Sequence, residues 1–544
     1  MKKKKELKQP RKTASKPRPV ARDRKPSFES FVRLDKSAVL FLIFGFCLIH
    51  WLIRVFIAPV YTIEEADQLL MSQSLQAAYE ARQPPMLAWL HALATMALGL
   101  SQPVVFAIRY FLMFLALSFY YLAARNVLIK PAVSAASVAA WALTFQVGWA
   151  MHEDLLGAVG LMAALSLSLH AFTRILTWRR YRDWVYLGVT IGVGLLTHHL
   201  YVIFPVAMII AIFLSPFFRD AVSIARFAIC ILIAALIYGP YAAWISTHIG
   251  SIQDAAANYT ASWEVDASWF DRVRNSAVAF GRSLLEFTLP LSLFWLMLFW
   301  PLWLPVIFPV FNRRSTDEEP HEFAWRQLFA RSMIFGLVVC LFGVGFGVLT
   351  WKVYWLMPVL FTAPIWMFTH VKRAGDFPIA TRAFAALAIA FVSLVIVGRF
   401  VEWRMEIEMC EECRPYTPIP EWAAELKRAG FAEGTIVGAD KHLTGNLRGA
   451  FRNTRVLDAS LSPEDFPAAH TQGACLAVWR ESNFDEERRI AVMPPELRAY
   501  LEDDLGAKPY DGGAEGAIRR NFRLSGNKAA TLYLQFVPPS DRCR

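Results

Sequence analysis

The chain has 544 residues, of which 56% are hydrophobic and only 19% are charged. A soluble chain usually carries nearer a quarter charged residues. Apolar runs of near-bilayer length recur along about 400 residues, which excludes a single water-soluble core. The net charge is +11, but residues 1–36 contribute +10 of it. The basic balance therefore indicates no nucleic-acid partner.

The basic segment 1–36 is rich in Lys, Arg and Pro and poor in apolar residues, which predicts a disordered tail. It directly precedes the apolar run 37–58. This run is too long for a cleaved signal peptide, and no small-residue cleavage site follows it. We expect it to be the first membrane span, with the N-terminus in the cytoplasm because positive flanks stay inside.

Eleven apolar runs predict an α-helical polytopic membrane protein. They lie at about 37–58, 103–125, 131–150, 154–175, 183–198, 200–217, 224–246, 284–311, 331–350, 352–370 and 380–400. Lys and Arg cluster at alternate connections, which places the C-terminus outside. The stretch 85–100 is short and opens with two prolines, so we expect it to lie on the outer membrane surface. Because some breaks are tight, the expected total is about 11 to 13 transmembrane helices.

The remaining segments divide the chain further. The membrane part is predicted at 37–402, with two external loops at 60–102 and 247–283. The pattern of residues 403–544 predicts a small periplasmic α/β domain. Strands that alternate with helices favour such a fold. The predicted elements are a helix at Pro420–Ala429, a strand at Thr435–Ala439, a helix at about 441–451, and strands near 455–458, 475–479 and 530–537.

Four cysteines lie in this polar C-terminal part: Cys410, Cys413, Cys475 and Cys543. From spacing alone they could form a zinc site or two disulfides. The external location predicted by the topology favours disulfides, because that compartment is oxidising. The sequence does not reveal which cysteines pair.

Two acidic clusters lie at span ends on the predicted outer side. The first is Glu64-Glu65-Ala66-Asp67, and the second is His152-Glu153-Asp154. Either could supply a base where a lipid-borne substrate meets a water-borne one. The alternatives are a helix start, with Thr62 and Glu65 as a capping box, and an ordinary polar loop. One His with two carboxylates is a weak metal signal, so no protein-bound metal site is predicted.

Cationic and histidine side chains also lie near the outer ends of spans. Arg109 lies about six residues inside a span, where a charge is usually functional or paired, and it could hold a phosphate. Lys352 neighbours Tyr354, and His198 closes an apolar run. The alternatives are snorkelling of Arg109 to the headgroups and interfacial anchoring by the other residues.

Taken together, the motifs resemble bacterial family 39 glycosyltransferases of the GT-C superfamily, which include aminoarabinose transferase and protein O-mannosyltransferase type enzymes. The matching stretches are Glu64-Glu65-Ala66, Ser72-Gln73-Ser74, Gln83-Pro84-Pro85, Ala107-Ile108-Arg109, His152-Glu153-Asp154, Gly194 to His198, Tyr354 to Pro358, and Ala439-Asp440 with Gly445 to Arg448. Their order and spacing extend over most of residues 37–460.

The resemblance implies a GT-C fold in the bacterial inner membrane. It implies a polyprenyl-phosphate sugar as donor, membrane lipids around it, a periplasmic glycan, lipid or protein as acceptor, and inverting transfer. Glu64 would be the base, and Asp154 would position the acceptor or a divalent cation near both carboxylates. The implied substrate-binding residues are Glu65, Asp67, Gln83, Arg109, Glu153, His198, Lys352 and Tyr354.

Three positions depart from the family pattern. Glu64 stands where the family has Asp, and Gln83 and His198 stand where it has Lys. These changes leave open a diverged, non-catalytic partner in envelope glycan assembly. A transporter of lipid-linked sugars is the third reading. Transporters usually show broken or repeated spans with midplane charges, whereas the charges here lie at span ends.

Overall fold

The computed structural model describes residues 36–544 except 59, 81–82, 249–267, 308–319, 349–350, 374–376, 411–412, 481–483, 486–489, 512 and 526. The predicted disordered tail lies outside the described residues, apart from Lys36, as does most of the predicted loop 247–283.

Helices dominate the chain up to residue 409, and strands follow. In chain order the helices are α1 (Lys36–Ile57), α2 (Ile63–Met71), α3 (Met86–Leu98), α4 (Gln102–Leu128), α5 (Pro131–Ala142), α6 (Met151–Glu153), α7 (Leu156–Trp178), α8 (Tyr181–Leu195), α9 (Ile203–Phe213), α10 (Ile224–Thr247), α11 (Trp269–Thr288), α12 (Leu291–Leu298), α13 (Trp300–Ile307), α14 (Pro320–Gly345), α15 (Met357–Leu360), α16 (Ala363–Arg373), α17 (Pro378–Met409), α18 (Ile419–Arg428), α19 (Lys441–Ala450) and α20 (Pro495–Ala499). The strands are β1 (Gly434–Gly438), β2 (Arg455–Asp458), β3 (Ala474–Arg480), β4 (Phe484–Asp485), β5 (Ile490–Ala491), β6 (Gly516–Asn521) and β7 (Ala529–Val537).

Within the described residues, six helices are long and apolar enough to cross a bilayer: α1, α4, α7, α10, α14 and α17. The other predicted spans are shorter or divided. The run 131–150 becomes α5 followed by a separate helical turn, and the run 352–370 is divided among a short turn, α15 and α16. The chain is thus a mainly helical protein with six clear spans, and the total of 11 to 13 stays a prediction.

Helix α7 is the centre of the membrane part. Its apolar window is 89% buried, whereas that of α10 is 17% buried. A helix that is apolar all round is stable only when other helices or lipid cover it. Helix α4 packs along α7, and α1, α10 and α17 leave many large apolar side chains exposed, as lipid-facing helices do.

The C-terminal region, 410–544, contains a five-stranded sheet in the order β2-β1-β3-β7-β6. Strands β1, β2 and β3 are parallel, and β7 and β6 continue the sheet antiparallel. The predicted strands at Thr435–Ala439, 455–458, 475–479 and 530–537 are confirmed to within one residue at each end. Strand β6 was not predicted, because its largely exposed, Arg-containing sequence lacks an apolar run.

The first loop, 60–102, packs on this sheet region rather than standing apart from it. Helix α2 lies against α19, and Gly445 of α19 leaves no room for a Cβ beside the Ala66 backbone. The Tyr61 N–H donates to Asn446 Oδ1 at 2.8 Å. Four apolar side chains of residues 58–80 belong to the same core as the sheet, namely Val60, Leu70, Met71 and Tyr79. The C-terminal region therefore helps to position the acidic residues of α2.

Candidate active site

Helix α2 begins with the capping box that the sequence predicts. Thr62 Oγ1 accepts the Glu65 N–H at 3.3 Å, and Glu65 Oε2 accepts the Thr62 N–H at 3.1 Å. Two guanidinium groups also bind the Glu65 carboxylate, with Arg109 Nη2 at 2.7 Å from Oε1 and Arg54 Nη2 at 3.1 Å from Oε2. Burial alone would raise the pKa of Glu65, but the charges of Arg109 and Arg54 outweigh burial and hold the pKa at about 2. Glu65 is a fully buried structural anion.

Arg109 is held by contacts within the protein, and its predicted phosphate contact stays a prediction. It is fully buried, and protein oxygens accept from all three guanidinium nitrogens. Nε donates to Glu65 at 2.9 Å, Nη1 donates to the carbonyls of Met151 (2.9 Å) and Asp154, and Nη2 contacts Glu65 and Thr62. Four hydrogen bonds and the ion pair with Glu65 thus hold the guanidinium within the protein. Arg109 therefore joins α2 to the turn that carries Asp154.

Glu64 and Asp154 meet at the N-terminus of α7. Glu64 Oε2 accepts the Gly157 N–H at 2.7 Å, and the Glu64 N–H donates to Asp154 Oδ1 at 3.4 Å. Between them Leu155 has a φ of 57°, a left-handed conformation that costs a non-glycine residue roughly 1–2 kcal/mol. The contacts from α2 and Arg109 hold this turn, so Asp154 stays beside the backbone of Glu64.

The environment of Glu64 differs from that of Glu65. Burial raises the pKa of Glu64 to about 7, and the charge of Asp154 adds to the rise. The Gly157 N–H, Arg109 and Lys352 oppose it. Burial also raises the pKa of Asp154, against the charge of Arg109. Perturbed carboxylates of this kind are a feature of functional sites.

Asp67 and Gln83 form a second polar group that faces the C-terminal region. Gln83 Nε2 donates to Asp67 Oδ2 at 3.4 Å, and Gln68 Nε2 donates to Gln83 Oε1 at 2.7 Å. Lys441 Nζ lies 3.2 Å from Asp67 Oδ1 and 2.9 Å from Glu80 Oε2. Burial raises the pKa of Asp67 to about 7, with Lys441 opposing the rise. These contacts tie the first loop to α19, and the substrate contact of Asp67 and Gln83 stays a prediction.

His198, Lys352 and Tyr354 come together next to Glu64. The rings of His198 and Tyr354 are 5.9 Å apart, and Lys352 Nζ lies 6.0 Å from the Tyr354 ring centroid. The charge of Lys352 acts on both Glu64 and His198. Burial, with His199 and Lys352, lowers the pKa of His198 to about 3, so this imidazole is neutral. Lys352 is exposed and supplies positive charge near Glu64.

A cavity of about 300 Å³ opens on the other side of Asp154. It lies between the end of α1, residues 60–63, the end of α17 and the C-terminal region. Glu153 and Asp154 are part of its wall, together with Arg399, Trp403, Tyr416 and His442. A ligand there would touch Asp154 without touching Lys352, which is not among the lining residues.

Two disulfides lie in the C-terminal region. Cys410 pairs with Cys413 beside the turn that carries Tyr416, and Cys475 of β3 pairs with Cys543 near the chain end. In the part of the chain that the structure describes, no group of three or more His, Cys, Asp or Glu side chains could hold a metal ion. The candidate site itself has two neighbouring acidic residues, Glu64 and Asp154, which is fewer than such a group needs.

The sequence is similar to a family model and to two known proteins. A family model described as dolichyl-phosphate-mannose-protein mannosyltransferase matches residues 82–244. The lipopolysaccharide core galacturonosyltransferase RgtA of Rhizobium johnstonii is 26% identical over 91% of this chain and 98% of its own length. RgtB, with the same description and organism, is 24% identical over 87% and 92%.

A solved structure agrees with these relatives. ArnT from Cupriavidus metallidurans, bound to undecaprenyl phosphate, superposes with a TM-score of 0.55 at 12% identity, over 92% of this chain and 98% of ArnT. The chain therefore shares its fold with ArnT. These likenesses agree with the resemblance to GT-C glycosyltransferases of family 39 that is seen in the motifs. The six long apolar helices among the described residues fit a multi-pass membrane protein.

The sequence did not predict four residues of this candidate site. Arg54 and Arg399 lie in spans, where a charged residue is itself a signal. Lys441 and Gly157 carry no such signal, because their roles depend on packing between distant segments.

Proposed function

We propose that this GT-C protein transfers a monosaccharide from a polyprenyl-phosphate donor to a periplasmic envelope glycan, with Glu64 as the base. The observation that carries the proposal is the paired setting of Glu64 and Asp154, with the pKa of Glu64 at about 7. A general base is most effective when its pKa lies near the working pH.

The three acidic residues of α2 differ in their suitability for this role. Glu65 is fully buried between two arginines, and a carboxylate with a pKa of about 2 is a weak base. Asp67 faces Gln83 and Lys441. Glu64 is half-buried and lies beside both Asp154 and the region of Lys352.

In the proposed reaction an acceptor hydroxyl oxygen attacks the anomeric carbon of the donor sugar. Glu64 takes the hydroxyl proton as the new C–O bond forms. The bond between the anomeric carbon and the phosphate oxygen breaks, and the phosphate leaves with the electron pair. This single displacement inverts the anomeric centre. Asp154 positions the acceptor hydroxyl, and Lys352 stabilises the charge on the leaving phosphate.

The donor side is assigned to His198, Lys352 and Tyr354. Lys352 is exposed and charged, and neutral His198 can exchange hydrogen bonds with a phosphate. ArnT was solved with undecaprenyl phosphate bound, which supports a lipid phosphate as carrier. The likeness to RgtA and RgtB along nearly the whole chain supports a lipopolysaccharide core type of acceptor.

The test is sugar transfer in proteoliposomes supplied with a polyprenyl-phosphate sugar and core oligosaccharide. We expect Glu64→Gln to lower the rate roughly 10²- to 10⁴-fold. The matched control is Glu421→Gln, on the exposed face of α18, with an unchanged rate. Full transfer by the Glu64 variant contradicts the base assignment. No transfer by the native protein favours a non-catalytic partner.

Two carboxylates alone are too few ligands for a divalent cation. A cation near Glu64 and Asp154 is therefore proposed only when the donor phosphate is bound and supplies a further ligand. If such an ion contributes, EDTA lowers the transfer rate and Mg²⁺ or Mn²⁺ restores it. An unchanged rate in EDTA contradicts the proposal.

The proposed topology places the N-terminus in the cytoplasm and residues 403–544 in the periplasm. The pairing of Cys410 with Cys413 and of Cys475 with Cys543 supports an oxidising compartment. Mass mapping of the protein purified without reductant should find these two pairs, with Cys47, Cys230 and Cys340 as thiols. Four free thiols in the C-terminal region would contradict both the pairing and the topology.

A further inference from the structure

Arg399 is a buried cation whose hydrogen bonds are incomplete. It lies near the end of α17 and is 9% exposed. Nη2 donates to the His152 carbonyl at 3.0 Å. Among the described residues, Nη1 has no hydrogen-bond partner and no carboxylate forms an ion pair with Arg399. Removing a guanidinium from water without a counter-charge is costly, so such a group usually binds an anion.

Arg399 contributes to the wall of the cavity beside Asp154. Another cation of that wall, Arg54, pairs with Glu65 at 3.1 Å. Arg399 has no ion pair among the described residues and keeps Nη1 without a partner at this wall, so it can meet an anionic group of a ligand.

The rest of the cavity wall suits a sugar ring. Tyr61, Trp403 and Tyr416 provide aromatic surfaces, which pack against the apolar faces of ligands. Glu153 and Glu402 provide carboxylates that can accept hydrogen bonds from hydroxyl groups. The volume of about 300 Å³ lies at the lower end of the usual range for small-molecule pockets.

We propose that this cavity binds the acceptor sugar and that Arg399 binds a carboxylate or phosphate which that sugar carries. The inference rests on the proposed function, since it takes Asp154 as the point where acceptor and catalytic site meet. Asp154 belongs to the cavity wall and contacts Glu64, whereas Lys352 lies outside that wall. The acceptor then approaches Glu64 from the α17 side and the donor from the Lys352 side. Arg399 thus selects acidic over neutral acceptors.

The experiment measures binding of core oligosaccharide to the full-length protein in nanodiscs without donor. Three preparations are compared: intact, carboxyl-reduced and dephosphorylated. We expect the native protein to bind the intact form roughly 10- to 100-fold more tightly than the preparation that lacks the anionic group bound by Arg399. The preparation that loses affinity distinguishes a carboxylate from a phosphate.

Variants then assign the effect to Arg399. Arg399→Gln should weaken binding of the intact form by the same factor and make it insensitive to removal of that anion. Arg399→Lys should restore part of the affinity. The matched control Arg404→Gln, on an exposed position of the same helix, should bind like the native protein.

Two outcomes overturn the proposal. One is equal binding, or no binding, of all three preparations by the native protein, a result independent of how any variant folds. The other is undiminished binding by a folded Arg399→Gln protein. Binding is measured without donor, so it does not depend on whether the protein transfers sugar. If the native protein transfers sugar normally but binds all three preparations equally, only the role of Arg399 is refuted.

Discussion

Glu64 and Glu65 are adjacent in sequence and opposite in chemistry. The side chain of Glu65 turns into the protein between two arginines, whereas Glu64 reaches the N-terminus of α7 beside another carboxylate. The neighbours of each carboxylate, rather than its residue type, determine which of the two can accept a proton near neutral pH.

The pH dependence of transfer follows from the pKa of Glu64. Protonated Glu64 cannot take a proton, so kcat/KM should rise with pH through about 7 and level off above it. Initial rates in proteoliposomes between about pH 5 and 9 check this. Glu64→Asp should keep a rising profile at a lower rate, because the shorter side chain moves the carboxylate by about an ångström. A flat profile for the native protein would contradict the assignment.

Stability should respond in opposite directions at the two positions. The pKa of Glu64 rises from 4.5 to about 7 on folding, so its ionisation lowers stability as pH increases across that interval. Glu64→Gln should therefore match or exceed the native melting temperature at pH 8.

The pKa of Glu65 falls from 4.5 to about 2 on folding. Its contribution to stability is therefore complete above pH 4.5 and is lost as the pH falls through about 2. Glu65→Gln should cost about 3–5 kcal/mol at pH 8, because it leaves two arginines uncompensated.

Thermal unfolding in detergent at pH 8 measures both effects. Equal destabilisation by Glu64→Gln and Glu65→Gln would show that the two carboxylates share one structural role, contrary to the proposal.

At the scale of elements, α2 is held from both sides, by arginines of α1 and α4 and by Lys441 of α19. Lys441→Gln should leave Asp67 and Glu80 without their cation and loosen α2. We expect faster amide hydrogen exchange in Ile63–Met71 and a lower transfer rate. Lys508→Gln, at an exposed position, is the matched control. Unchanged exchange in the Lys441 variant would show that α19 does not hold α2.

Local signals in the sequence predict some of these elements well. The capping box at Thr62 and the strands of the sheet follow from short patterns, and both are confirmed. The pairing of Arg109 with Glu65 and the ion pair of Lys441 with Asp67 join residues 44 and more than 300 positions apart. Periodicity and composition contain no information on such pairs, so the sequence could not predict that Arg109 binds Glu65.

The whole molecule combines a helical membrane part with a sheet region, and the candidate site lies where they meet. The apolar residues of the first loop join the core of the sheet region, and the cavity wall draws on both parts. The fold shared with ArnT accounts for the arrangement of the helices. The contact between α2 and α19 explains how this chain holds the first loop. It predicts that disrupting the sheet region also disturbs the first loop and lowers the transfer rate.

Gly445 tests this dependence of one part on the other. A Cβ there would collide with the Ala66 backbone, and backbone cannot give way as a flexible side chain can. Gly445→Ala should therefore push α19 from α2 and cost about 1–3 kcal/mol, as overpacking does, with loss of transfer because Glu64 moves from Asp154. Gly281→Ala, at a helical position with open space around the added methyl, should keep full activity. Native transfer and melting temperature in the Gly445 variant would mean that the sheet region does not position the catalytic loop.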